Sequence, residues 1–215
     1  IDLIAITDHN TSANVGAVQK AAHGTSLTVL PGMEVQSREE VHLLTLFETL
    51  QELEAWQKEV DASLPQLPNE PDFFGEQFVV DETGEFVRSE PRLLLNSTGF
   101  SIEEIFERVK ALGGIVIPAH VERFSFGLFP TLGLISENWN LIALEISRQI
   151  THQKSRRCFR QPGTIPSSRA ETFTALRIFS ARRFSLLPRP HCWRSASHST
   201  KSTDAMSASK RRNSP

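Results

Sequence analysis

No hydrophobic run in this chain approaches the roughly 18 residues that a membrane-crossing helix needs. No signal-peptide pattern of charged, apolar and small segments is present either. Cysteine is scarce: Cys158 and Cys192 have neither zinc-motif spacing nor the density of a disulfide framework. A cytoplasmic, soluble protein without membrane contact is therefore expected. An initiator Met is missing, and Ile1 falls inside what reads as a strand, so the sequence reads as a fragment lacking its N-terminal part. Acids run out after residue 150. Residues 151–215 hold only Glu171 and Asp204 against 14 bases, net +12, whereas residues 1–150 hold 23 acids and 9 bases, net −14. The overall charge of −2 hides this division. Serine and arginine crowd the second part and no periodicity survives in it, which places a boundary near residue 151. The 215 residues fit one domain and a tail, with 39% apolar residues, adequate for a core but not rich.

Residues 1–150 alternate apolar runs of strand length with amphipathic stretches. Strands are predicted over 1–6, 26–30, 41–47, 115–117 and 141–146. Helices are predicted over 13–23, with Ser12 as N-cap and Gly24 as stop, and over 50–62. A further helix over 102–112 is announced by the capping box Ser101-Ile102-Glu103-Glu104 and ends at Gly113-Gly114. Residues 65–99 break the rhythm and read as an insertion with a hairpin, Phe78-Val79-Val80 against Phe86-Val87. Alternating strands and helices imply an α/β fold with a largely parallel sheet or barrel.

Ionisable residues stand at the strand ends. Asp8-His9 follows the first strand, and Glu34 follows the second in Pro31-Gly32-Met33-Glu34. His42 opens the third, and His120 ends the fourth in Ile117-Pro118-Ala119-His120. Each has a plainer alternative: a turn for His9 and His120, a solvated loop acid for Glu34, a satisfied core histidine for His42. Their coincidence at successive strand ends outweighs these singly. Imidazoles and a carboxylate gathered there suit Zn²⁺, Mn²⁺ or Fe.

Ile4-Ala5-Ile6-Thr7-Asp8-His9-Asn10, Pro31-Gly32-Met33-Glu34, Val41-His42-Leu43-Leu44 and Ile117-Pro118-Ala119-His120 together resemble consecutive motifs of the PHP (polymerase and histidinol phosphatase) superfamily. The likeness covers about residues 1–148. It implies a distorted seven-stranded β/α barrel, incomplete here, with two or three divalent metals and phosphoester hydrolysis by metal-activated water. By it, His9, Glu34, His42 and His120 are metal ligands, Glu34 bridges, and Asp8 is a ligand or supports one. Arg123, three residues past His120, is a weak candidate for contact with a substrate phosphate; a solvated surface arginine is the plainer reading. The insertion, about 63–100, resembles that of the stand-alone phosphoesterases of the family. The implied substrate is a phosphorylated small molecule or a nucleotide.

Two family motifs are absent. A His-x-His strand would precede Ile1, and an Asp-x-His motif has no counterpart in residues 151–215. The tail reads as an out-of-frame translation. A permitted codon set for residues 165–176, read from the third base of the first codon, gives Pro-Leu-Ile-Gln-Ser-Gly-Asp-Val-His-Arg-Leu. In that frame Glu171-Thr172 yields only Asp or Asn, and Phe173-Thr174 only His or Tyr. Such a tail would be poorly structured, and the chain would be inactive or nearly so. Three alternatives stand beside this reading: a catalytically dead fragment, an amidohydrolase-like metal hydrolase, and nucleic-acid binding through the basic tail.

Overall fold

The computed structural model describes residues 1–133, 135–139 and 141–147, together with the backbone of the two-residue strand 183–184. The predictions for the rest of 151–215, including the alternative frame, lie outside the described residues.

The order of elements is β1 (Leu3–Ile6), α1 (Val15–Ala21), β2 (Thr28–Gln36), β3 (His42–Leu46), α2 (Leu50–Ser63), α3 (Pro71–Phe74), β4 (Phe78–Val80), β5 (Phe86–Ser89), α4 (Ile102–Ala111), β6 (Ile115–Pro118), α5 (Leu128–Leu132), a 3₁₀ turn (Glu137–Trp139), β7 (Glu145–Ile146) and β8 (Arg183–Phe184). The α/β class predicted from the sequence holds. Among the described residues the main sheet has four strands, ordered β1-β2-β3-β6, and does not close into a barrel.

The expected largely parallel sheet is corrected to a mixed one. Only β1 and β2 run parallel; β2–β3 and β3–β6 are antiparallel. The cause is connection length. Five residues separate Gln36 from His42, enough for a tight reversal but far short of the dozen or so that a parallel crossover requires.

Strand β2 also outruns its predicted end at Leu30, continuing through Pro31-Gly32 to Gln36. Proline has no N–H to offer a ladder, yet Pro31 contributes as an acceptor: its carbonyl takes the Phe47 N–H at 2.9 Å. At this point β2 changes partner. Ile6 pairs with Pro31 on the β1 side, and Leu46 pairs with Gly32 on the β3 side. Gly32 is required there, because a Cβ would lie 2.6 Å from Leu46 Cδ2 and 2.9 Å from the Ile6 carbonyl.

Strand alternation sends successive side chains to opposite faces. Met33, Val35, Leu43 and Val116 join Trp56, Val60, Ile105 and Val109 in the main core under α2 and α4. Leu44, Leu46 and Ile117 face the other way, into a smaller cluster with Ala5, Ala119 and Ala143. The polar residues Glu34 and Gln36 alternate with Met33 and Val35, so they too point away from the helices. The sheet thus has a helix-packed face and a site face.

The capping box predicted at α4 is present, with Ser101 and Glu104 exchanging hydrogen bonds; Thr49 and Glu52 form an unpredicted one at α2. At α1 the predicted cap is displaced. Asn14, not Ser12, stands at the N-cap, and its side chain is committed elsewhere. The hairpin β4–β5 forms as predicted, pairing Phe78 with Ser89. Its backbone is tied to α1 by Asn14, which donates to the Phe78 carbonyl at 3.2 Å and accepts from Val80 N at 3.0 Å.

Candidate metal centre

Strand pairing brings the predicted residues together. Beyond β1 the chain keeps one more bridge to β2, pairing His9 with Glu34. Two backbone hydrogen bonds flank it: Glu34 N to the Asp8 carbonyl at 3.1 Å, and Asn10 N to the Glu34 carbonyl at 2.8 Å. On the other side, Gln36 lies directly opposite His42. Glu34, two residues back on the same face, is therefore the diagonal neighbour of His42, within reach of a long side chain. Ala119 N donates to the His42 carbonyl at 2.9 Å, carrying the β3–β6 pairing past Pro118 and delivering His120 beside His42.

The Glu34 carboxylate sits at the centre, 4% exposed. Its Oε2 faces His9 Nδ1 at 3.9 Å. Its Oε1 faces His42 Nδ1 at 3.3 Å and His120 Nδ1 at 3.9 Å. The His9 and His42 rings are 4.8 Å apart, and the His42 and His120 rings 5.1 Å apart. His9, Glu34 and His42 can each direct a donor atom to one point, with these atoms within 4.8 Å of one another. Burial pushes the His42 pKa below its ordinary value, and the nearby His9 and His120 push the same way, against the opposing pull of Glu34. A neutral imidazole is the form that binds a cation.

His42 is held on three sides. Its Nε2 lies 3.3 Å from Gln36 Oε1, and its Nδ1 faces Glu34. The Phe126 ring stacks on it, and its N–H donates to the Phe126 carbonyl at 3.1 Å. Two groups lack what His42 has: the buried Nε2 atoms of His9 and His120 have no hydrogen-bond partner among the described residues. Burial of a polar nitrogen without a partner is costly, and His9, Glu34 and His42 are the residues whose donor atoms could together hold a cation.

Asp8 stands apart. Its carboxylate accepts from Asn14 Nδ2 at 2.9 Å and is not among the donor atoms gathered at Glu34. Its contribution is to link the site to α1 and the hairpin through Asn14. Arg123 is exposed, and its backbone N–H donates to the His120 carbonyl at 2.8 Å.

Residues outside the predicted set complete the surroundings. Asn10 is fully buried in a left-handed conformation, φ 51°, and its Nδ2 donates to the carbonyls of Leu94 and Asn96 at 2.8 and 2.7 Å. It locks the turn after His9 to the end of the insertion. Glu145, 1% exposed, accepts from His120 N at 3.2 Å. Its signal in the sequence is an acid inside the apolar run Leu141-Ile142-Ala143-Leu144-Glu145-Ile146. Gln36 could have been read from the same alternation that places Glu34. Phe126 left no such signal, because its contact depends on the loop after His120.

No family model matches the sequence, and no curated protein sequence matches it. Solved structures do. The complex of Endonuclease Q with a 27-mer duplex carrying an abasic lesion superposes with a TM-score of 0.52, at 12% identity, over 81% of this chain and 40% of that one. At that identity the likeness is one of fold: the chain shares the fold of the matched part of Endonuclease Q. The lesion-specific endonuclease PfuEndoQ from Pyrococcus furiosus gives 0.48 at 15% identity, over 73% of this chain and 36% of that one. A protein from Bifidobacterium adolescentis, described as a metal-dependent phosphoesterase, gives 0.47 at 17%, over 74% and 72%. This chain therefore spans well under half the length of the two endonucleases.

Proposed function

We propose that the chain is a divalent-cation-dependent phosphoesterase, with His9, Glu34, His42 and His120 as the cation ligands. The observation that carries the reading is the Glu34 carboxylate, whose two oxygens face different histidines: Oε2 toward His9, Oε1 toward His42 and His120. That division suits a bridging carboxylate. Residues 1–150, with the insertion at about 63–100, form the functional unit, an incomplete barrel of the PHP type, and 151–215 a separate segment.

When bound, divalent cations make water a nucleophile near neutral pH and neutralise phosphoryl oxygens. The chain's residues do the rest. Gln36 and Phe126 fix the His42 ring, so that Nδ1 is presented without reorganisation. The low proton affinity of His42 keeps that nitrogen open below the ordinary histidine range. Asp8, through Asn14, ties the hairpin to the segment that carries His9. Zn²⁺, Mn²⁺ and Fe all suit a donor set of imidazoles and a carboxylate.

The substrate class is a phosphomonoester or a nucleotide phosphodiester. The abasic duplex bound by Endonuclease Q supports a phosphodiester. The net −14 of residues 1–150 weighs against a long polyanion held by that unit alone. The test is cation content by elemental analysis, together with hydrolysis of p-nitrophenyl phosphate, bis(p-nitrophenyl) phosphate and AMP with added Mn²⁺ or Zn²⁺. Turnover that disappears in Glu34→Gln supports the reading. Cation binding without turnover on any phosphoester, but with cleavage of an amide, selects an amidohydrolase-like activity instead.

A further inference from the structure

The loop after His120 closes on itself at the edge of the site. Arg123 N donates to the His120 carbonyl at 2.8 Å, and His42 N donates to the Phe126 carbonyl at 3.1 Å. Gly127 packs so closely on Arg123 that a Cβ there would meet its backbone. The residues between Arg123 and Gly127 therefore form a short, braced tip, with the Phe126 ring 4.5 Å from that of His42. Phe124 stands on this tip, two residues before Phe126. With about 3.8 Å between consecutive Cα atoms, its Cα lies within about 8 Å of that of Phe126. At 93% exposure it is the most exposed large apolar side chain among the described residues. It has no aromatic or cationic partner among them. Phe126 is itself 37% exposed despite its stack on His42. A lone exposed apolar residue needs no explanation. Two phenyl rings held open beside a cluster of imidazoles are different, because Phe126 adopts φ 62° to be there, and such strain collects at ligand clamps.

We propose that Phe124, with the open part of Phe126, is the platform on which a planar aromatic group of the substrate stacks, so that the site selects aryl and nucleoside phosphoesters over alkyl ones. The inference rests on the phosphoesterase reading and narrows its substrate to those that carry a flat ring. A phenyl face accepts any flat π system without regard to its hydrogen-bonding edge. An alkyl phosphate has no face to offer it. Stacking also supplies the apolar cover that both rings lack. The charge of the unit points the same way. Residues 1–150 carry net −14, which opposes a long phosphate backbone. An uncharged ring brought in with a single phosphate meets little of that repulsion.

The experiment compares the full chain with Phe124→Ala and Phe124→Trp, with added Mn²⁺, on AMP, p-nitrophenyl phosphate and glycerol 3-phosphate. In Phe124→Ala the ratio of kcat/KM for AMP to that for glycerol 3-phosphate is expected to fall about 5- to 100-fold, mostly through the KM for AMP. The aryl ester identifies the group: a parallel fall for p-nitrophenyl phosphate means any aromatic ring, and a fall confined to AMP means a base. Phe124→Trp, which preserves a flat ring, is expected to keep the ratio. A binding measurement needs no turnover. The indole of Phe124→Trp should be quenched by AMP beyond the response of the wild type, and not by glycerol 3-phosphate. An unchanged ratio in Phe124→Ala, or an equal loss on all three substrates as a merely structural role would give, overturns the platform. Should Phe124→Ala fail to fold, the quenching decides, and its absence overturns the platform. A wild-type chain that hydrolyses no phosphoester overturns the phosphoesterase reading, and the quenching then judges the platform by itself.

Discussion

The Phe126 ring lies parallel to the imidazole of His42, with centroids 4.5 Å apart and planes within 7°. This stack is bought with backbone strain, since Phe126 has φ 62°, a region that bulky residues avoid. Gly127 follows with no room for a side chain, because a Cβ would lie 2.1 Å from the Arg123 carbonyl. The loop after His120 is therefore wound tightly enough to press an aromatic face on a candidate ligand. Phe126→Ala is expected to lower divalent-cation affinity about tenfold by freeing the His42 ring. Phe126→Gly should lose the same affinity while melting no lower than Phe126→Ala, because glycine relieves the strained φ. Cation titration paired with thermal melting separates the two effects.

Asn10→Ala is expected to cost about 3 kcal/mol, because the buried Leu94 carbonyl and the half-buried Asn96 carbonyl lose their donor and alanine tolerates the left-handed backbone poorly. Urea unfolding measures it. A loss below about 1 kcal/mol would show that water replaces the side chain there.

The depressed pKa of His42 sets a direction for pH dependence. A group whose folded pKa lies below its unfolded value of 6.5 contributes stability that is complete above pH 6.5. That contribution is lost as pH falls from 6.5 through the folded value, because the unfolded chain binds the proton first. Cation-free protein should therefore lose stability on acidification in this window, and His42→Gln should flatten that part of the profile. Denaturant midpoints collected from pH 7.5 to 5 test it; an unchanged slope in the variant would remove His42 from the account.

Gly114→Ala is expected to destabilise by about 1–3 kcal/mol through overpacking. The added Cβ would lie 2.5 Å from Phe47 Cε1 and 2.8 Å from Val109 Cγ1, both fixed in the main core. Gly32→Ala meets a similar barrier at Leu46 and the Ile6 carbonyl, but there the displaced strand carries His9. It should reduce cation affinity as well as stability, whereas Gly114→Ala should reduce stability alone. Cation titration on the folded fraction of each variant distinguishes them.

The nearness of His9, His42 and His120 was legible because each stands at the end of an apolar run and these ends share an edge of the sheet; Glu34, read as following the second strand, lies within it. The hairpin and the α4 capping box were legible because local patterns make them. The direction of β3 was missed, although the five residues between Gln36 and His42 already ruled out a crossover. The end of β2 was misplaced because Pro31-Gly32 usually punctuates a strand, whereas here the pair marks a change of partner. Glu145 was hidden by its apolar neighbours. Asn14 and Phe126 could not be read at all, since the hairpin and the His42 ring they meet are supplied by distant parts of the chain.

The residues at the centre come from chain segments far apart in sequence: 25 positions separate His9 from Glu34, and 78 separate His42 from His120. A cation held by all of them would act as a cross-link on a long loop, one that includes α2, the insertion and α4. Closing such a loop removes chain entropy from the unfolded ensemble, as a disulfide does, and a ligand that binds only the folded form adds its own linkage. In a protein whose two cysteines both lie after residue 151, the cation would be the staple of the first 150 residues. Chelation would then release the structure as well as the chemistry.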